Sequence, residues 1–187
     1  IDLGTGTAQL AIKLAKLGYF VTATDISEKM LENAFNNAIT EDVSIQFFIH
    51  DILEPLNKDY DVVLMTSDVI NYLTEESQVL KAFKNISHVL EQNSVFMFDF
   101  LKTEYIEQLD GYQESIDLED QIVDWHVEKT EVPFQVLHTL TFEDVIEQHL
   151  QTTFPPKVFK ELLLQAGLKV VKKKMLEERI IYVCKKE

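Results

Sequence analysis

One cysteine in 187 residues leaves no partner for an internal disulfide. The fold therefore rests on its core alone, as expected of a protein from a reducing cytoplasm. Cys184 sits in the apolar run Ile180-Ile181-Tyr182-Val183-Cys184 and reads as a small buried hydrophobe. Long hydrophobic runs are also missing. The apolar blocks are strand-sized, far short of the roughly 20 residues of a membrane span. Positive charge is scarce, with 17 Lys and Arg against 32 Asp and Glu, a net charge of -15. Nucleic-acid binding rests on a positive patch that neutralises phosphates. Here basic residues cluster only at Lys169, Lys172, Lys173 and Lys174, which read as a solvated strand face, so the charge argues against a nucleic-acid substrate. The five histidines lack metal-ligand spacing, and no metal is expected. No secretory signal is visible. The chain opens inside a strand, at Ile1, about three residues short of usual strand length, so a preceding segment is expected.

What is present is concentrated at the start. Ile1 to Gln9 join the end of an apolar strand to a tight glycine turn, and a helix opens straight after it. Gly4 and Gly6 admit positive φ and leave no Cβ in a ligand's way. Free N–H groups at the start of the helix then face that ligand. The helix runs from Gln9 to Leu17 and stops at Gly18, and the next strand, Tyr19 to Thr24, ends in Asp25. A carboxylate there accepts two hydrogen bonds from a ribose diol. This order points to an adenosine-containing cofactor. A dinucleotide fingerprint needs a third glycine at position 9, which is Gln9, and no Lys-Ser or Lys-Thr follows to make a phosphate loop. Asp2 would repel a pyrophosphate. It suits a ligand with a cationic end, such as an ammonium or a sulfonium.

With these residues in place, the chain resembles the class I S-adenosylmethionine-dependent methyltransferases over nearly its whole length. Asp2-Leu3-Gly4-Thr5-Gly6-Thr7 matches the family's first motif, and Asp25-Ile26-Ser27 with Met30-Leu31 matches the segment after its second strand. His50-Asp51-Ile52 looks like the acidic position that contacts the adenine amino group. Asp61-Val62-Val63-Leu64 and Ser67-Asp68-Val69-Ile70-Asn71-Tyr72-Leu73 look like the fourth motif of small-molecule members. The resemblance implies S-adenosylmethionine as cofactor, held by Asp2, Gly4, Thr5, Gly6, Asp25, Ile26, Asp51, Ile52 and Thr66. Two departures stand out. Ala8 replaces the third glycine and still allows close helix–strand packing. Gln92-Asn93 replaces a Pro-Gly-Gly turn, where Asn tolerates a left-handed conformation.

Strand and helix alternate through residue 100, which predicts an α/β fold with a doubly wound, mostly parallel seven-stranded sheet. Ser27 is the expected cap of a helix over 28–38, and Thr74 that of a helix over 75–91. Val43 to Ile49, Asp59 to Met65 and Ser94 to Phe100 read as strands, the second apolar enough to be covered on both faces. After residue 100 the period changes. A short helix and antiparallel strands, Ile122 to Glu128 and Val136 to Phe142, form an insertion over 101–150. Placed at the carboxyl ends of the strands, it would cover the ligand crevice as a lid. Residues 151–187 return to the core. Pro155 and Pro156 start a helix that Gly167 ends, and Leu168 to Met175 pairs with Ile180 to Cys184.

Methyl transfer is a displacement that needs alignment and, for an amine or hydroxyl acceptor, removal of a proton. Asp68 and Tyr72, after strand four, are the candidate catalytic residues. Asn71, Trp125 and His149 are candidate substrate contacts, with His126 a further candidate base. Thirteen acidic residues and one lysine between Glu104 and Glu147 would favour a cationic small molecule. Methylation of tRNA or protein, or cofactor binding without catalysis, are the alternatives.

Overall fold

The alternation is realised in a computed structural model that describes residues 1–118, 121–143 and 145–187. In chain order the elements are β1 (Asp2–Leu3), α1 (Gln9–Lys16), β2 (Val21–Asp25), α2 (Glu28–Thr40), β3 (Ile45–Ile49) and β4 (Tyr60–Met65). A 3-10 turn, Val69–Tyr72, precedes α3 (Glu76–His88), β5 (Leu90–Leu101) and α4 (Thr103–Gln108). Then come β6 (Gln113–Leu118), β7 (Gln121–Lys129), β8 (Gln135–Thr141), β9 (Ile146–Thr152), α5 (Pro156–Gln165), β10 (Leu168–Met175) and β11 (Arg179–Lys186).

Seven strands form one sheet in the order β10-β11-β5-β4-β1-β2-β3. Strands β1 to β5 run parallel, and β11 enters antiparallel between β5 and β10. Strand order reverses beside β1, and the ligand crevice of such sheets opens at this point. Small side chains let α1 and α2 lie close to β2 and β3, with Ala8, Ala11, Ala23, Ala34 and Ala38 buried together. The larger core is aromatic. Phe96, Phe98 and Phe100 project from one face of β5 onto Phe83 of α3 and Phe159 of α5, and the Phe100 and Phe159 ring centroids are 4.2 Å apart. Each such buried ring contributes about 2–3 kcal/mol through the area it removes from water.

Local details both follow and depart from the sequence pattern. Ser27 Oγ accepts the Met30 N–H and caps α2 as expected. The cap of α3 is Glu75, not Thr74: Gln78 Oε1 reaches back to the N–H groups of both residues, leaving Thr74 outside the helix. That helix ends at His88 because Leu90 already pairs with Tyr60. Gln92 and Asn93 form no left-handed turn. They lie inside β5, in a bulge between the Tyr60–Leu90 and Val62–Val95 pairs. The first half of β4 is not covered on both faces, since Asp61 and Val62 are exposed.

The insertion holds four antiparallel strands, ordered β6-β7-β8-β9, rather than two. The outer pair was missed because polar residues on both faces hide the alternation of Gln113–Leu118 and Ile146–Thr152. Val127 and Val136 pack on Leu101, Ile106 and Leu109, which anchors this sheet on α4. Its two ends are laced together. Thr153 Oγ1 donates to the Leu101 carbonyl at 2.6 Å, and Asn71 bonds both Leu101 and Thr152. Among the described residues no helix is long and apolar enough to cross a membrane.

Candidate cofactor and acceptor site

The turn after β1 takes positive φ at alternate residues, +68° at Gly4, +55° at Gly6 and +65° at Ala8. The two glycines answer different demands. A Cβ on Gly4 would lie 2.4 Å from a Val69 methyl, so the side chain is excluded by the turn after β4. A Cβ on Gly6 would meet nothing within 4 Å, so that position borders open space. Ala8 keeps its Cβ in the left-handed region while fully buried, at a cost of about 1–2 kcal/mol. Its close packing is as expected; the strained backbone is not.

Side chains brace this turn from below. Thr5 Oγ1 donates to Asp2 Oδ2 at 2.7 Å. Asp25 accepts the Gly6 N–H at 2.8 Å through Oδ2 and the Ser27 N–H at 3.0 Å through Oδ1. A carboxylate oxygen has two lone pairs, so both remain able to accept from a diol. Helix α1 starts without a side-chain cap, leaving first-turn donors for a ligand. Thr24 Oγ1, beside Asp25, is buried with no partner among the described residues. Asp2 is only 3% exposed, and burial pushes its carboxyl above the usual range. A cationic ligand group would offset that burial. The residues at this end thus fit a ligand with a ribose diol and a positive end.

The remaining expected cofactor residues lie on the loops after β2, β3 and β4. Ile26 is exposed after Asp25. Asp51 closes its own turn, with Oδ1 accepting the Leu53 N–H at 2.8 Å, and the His50 N–H bonds the Asp25 carbonyl. Ile52 leans against the main core, and Thr66, half-buried, follows β4 directly.

The other end is assembled from distant positions. Ser67 and Asp68 both adopt positive φ, +61° and +67°. Asp68 lies 2.9 Å from Arg179 Nη1, which is also 3.2 Å from Asp99 Oδ2. Asp99 Oδ1 in turn accepts the Asp68 N–H at 3.0 Å. Asp68 Oδ1 has no aligned hydrogen bond, so its contact with the guanidinium is an ion pair only. Burial pushes the Asp68 carboxyl up to about 6; Arg179 opposes this, while Asp99 and Glu178 add to it.

Tyr72 is 49% exposed, so it does not fill the core, and burial of its hydroxyl raises the phenol pKa. Its ring meets His149 edge to face, with centroids 6.0 Å apart. Trp125 Nε1 donates to His138 Nδ1 at 3.1 Å. That bond leaves the His138 proton on Nε2, which is buried without a partner among the described residues. Burial lowers the His138 pKa, opposed in part by the neighbouring Gln151 side chain. His126 alternates with Trp125 along β7 and so lies on the opposite face, 3.9 Å from Glu128. Asn71 requires a correction. It is fully buried, its Nδ2 donates to the Thr152 carbonyl at 2.9 Å, and its Oδ1 accepts the Leu101 N–H at 3.1 Å. It ties the insertion to the 3-10 turn and offers a ligand no surface.

Arg179, Asp99 and His138 were not anticipated. Two carried a signal. Arg179 is the only arginine beside sixteen lysines, and Asp99 is the only charge in the apolar run Val95 to Leu101. A cavity of about 470 Å3 opens beside the cluster, lined by Lys102, Tyr105, Pro156, Met175, Glu178 and Ile180. No group of three or more His, Cys, Asp or Glu is placed to hold a metal among the described residues.

Residues 1–93 match the family described as a methyltransferase domain. A Geobacillus sp. (strain WCH70) protein, provisionally named a methyltransferase, is 32% identical over all of this chain and 83% of its own length. Among solved structures, an S-adenosylmethionine-dependent methyltransferase from Clostridium acetobutylicum superposes with a TM-score of 0.87. It shares 22% identity over 98% of this chain and 82% of that one. An amino pentose methyltransferase from Micromonospora echinaspora, solved with its cofactor, gives 0.77 at 16% identity, covering 100% of this chain and 82% of its own. At these identities the structural likeness is one of fold.

Proposed function

The chain belongs to the class I S-adenosylmethionine-dependent methyltransferases, and from that premise we propose that it methylates a nitrogen or oxygen of a small molecule. The observation that carries this reading is Asp68, a carboxyl that burial pushes up to about 6, paired with Arg179 at 2.9 Å and set near half-exposed Tyr72 where the insertion meets the end of β4. The net charge of -15 argues against a nucleic-acid acceptor. The fold is shared with an amino pentose methyltransferase.

When bound, S-adenosylmethionine supplies an electrophilic methyl on a sulfonium. Asp2 would balance the cofactor's positive end, Asp25 would accept from its ribose and Asp51 would hold the adenine amino group, with Gly6 leaving room for it. Asp68 takes the proton of the acceptor N–H or O–H as the lone pair attacks, a role worth about 10²–10⁴ in rate. Tyr72, Trp125 and His149 line the acceptor side. The acidic insertion raises the local concentration of a cationic acceptor. A cytoplasmic location fits the single buried cysteine.

Incubation with methyl-labelled S-adenosylmethionine and a panel of amines, alcohols and carboxylic acids tests the reading. Label should enter amines or hydroxyl compounds. Label found only in tRNA or protein overturns the small-molecule acceptor, and equal activity on anions overturns the cationic preference. Cofactor binding with no labelled product from the panel or from cell extract indicates a binding protein without catalysis.

A further inference from the structure

The sole arginine of the chain does not serve the surface, where sixteen lysines do that work. It opens β11, four residues after the β10 strand ends, with its side chain 23% exposed. Three carboxylates surround it: Asp68 at 2.9 Å, Asp99 at 3.2 Å and Glu178 at 3.7 Å. A planar guanidinium reaches several oxygens at fixed angles, which a lysine ammonium does not. Asp99 also holds the Asp68 backbone N–H, so one carboxylate fixes both the strained residue and the arginine beside it. The hairpin turn that carries Arg179 is anchored in turn, since Lys102 donates its N–H to the Glu178 carbonyl and its Nζ to the Glu177 carbonyl.

We propose that Arg179, braced by Asp99, is a positioning residue that holds the Asp68 carboxylate ionised and fixed in direction toward the acceptor. This rests on the reading of Asp68 as the acceptor's proton taker. The groups that bear on Asp68 are Arg179 and Glu178 at β11, Asp99 on β5, Tyr105 on α4 and Tyr72 on the 3-10 turn. Arg179 is the one cation among them. Without it, burial and two neighbouring carboxylates act unopposed and push the Asp68 carboxyl higher, toward protonation at neutral pH. Once protonated, it cannot accept a proton.

The test compares Arg179→Lys and Arg179→Met with the unaltered protein in three measurements. Carbon NMR of the Asp68 carboxyl should show its titration moving up by about one pH unit or more in Arg179→Met, and less in Arg179→Lys. Calorimetry with S-adenosylhomocysteine should show binding within about twofold in all three, which also reports that the variants fold. With an acceptor found in the panel above, the acid limb of kcat/KM should move up with the carboxyl in Arg179→Met, return part of the way in Arg179→Lys, and vanish in Asp68→Asn. An unmoved Asp68 titration in a variant that still binds S-adenosylhomocysteine overturns the proposal. So does an acid limb that stays put while the carboxyl moves. If the carboxyl moves but Asp68→Asn keeps full activity, Arg179 still sets the ionisation of Asp68, and the proton-taking role is what fails.

Discussion

The glycine turn and the Asp68 cluster touch where Val69 lies over Gly4, yet they are built from different material. The first is backbone. It uses positive φ and N–H donors supplied within residues 2–27, braced by two carboxylates of the same stretch, and only the excluded Cβ at Gly4 depends on a residue outside it, Val69. The second is side chain, with positions 68, 99 and 179 brought together by the strand order of the large sheet and 72 met by 149 of the insertion. At Gly4 the backbone site tolerates no addition, because Val69 fills the space, whereas at Gly6 an added atom would enter the open space left for a ligand. A side-chain site tolerates additions better and is sensitive to losing a charge.

Substitutions can break this contrast at either end. The largest effect is expected from Gly4→Ala, where one methyl meets Val69 and the backbone is left-handed. It should lower stability by on the order of 3 kcal/mol or more in denaturant unfolding and abolish S-adenosylhomocysteine binding. Binding that survives would mean the turn is less rigid than its geometry implies. Next comes Asp68→Asn. Methylation should fall about a hundredfold or more while cofactor affinity stays level, since only the side-chain end has changed. A parallel fall in affinity would merge the two ends into one.

The same residue sharpens the contrast through pH. Burial raises the folded-state pKa of Asp68 to about 6, so the protonated form is favoured by folding. Its stabilising contribution is complete below about pH 4 and is lost as pH rises through about 6. Stability should therefore decline across that window by on the order of 2–3 kcal/mol relative to Asp68→Asn, as unfolding midpoints at several pH values would show. A smaller change is expected from Asp25→Asn. It should weaken S-adenosylhomocysteine binding about tenfold, since an amide accepts less well from a diol and from the Gly6 N–H. The smallest is a gain: Ala8→Gly relieves the left-handed strain and should stabilise the protein by about 1 kcal/mol.

How far each end could be read from the sequence follows from the same contrast. The turn at Gly4 and Gly6, the helix behind it and Asp25 are contiguous, so spacing alone located them. Local chemistry also gave the Ser27 cap and the stop at Gly167. It misplaced the α3 cap, because Gln78 reaching back favours Glu75 over the hydroxyl residue before it. Asp68 was legible as a candidate, but not its partners, because Arg179 lies more than a hundred residues away and only sheet pairing joins them. Asn71 misled for the opposite reason. An amide in a motif suggests a ligand contact, whereas tertiary packing engages it with the Leu101 and Thr152 backbone.

That last tie has an evolutionary side. The four-stranded insertion leaves the core at Leu101 and returns at Thr152 and Thr153, and those three residues are bonded to one another or to Asn71 at a single seam. A segment that leaves and rejoins at one point can be lengthened or exchanged without shifting the strands on either side. Doubling such an excursion costs only about 0.6 kcal/mol in closure entropy. On the proposed reading, exchanging the insertion would alter the acceptor side of the site and leave the glycine turn as it is.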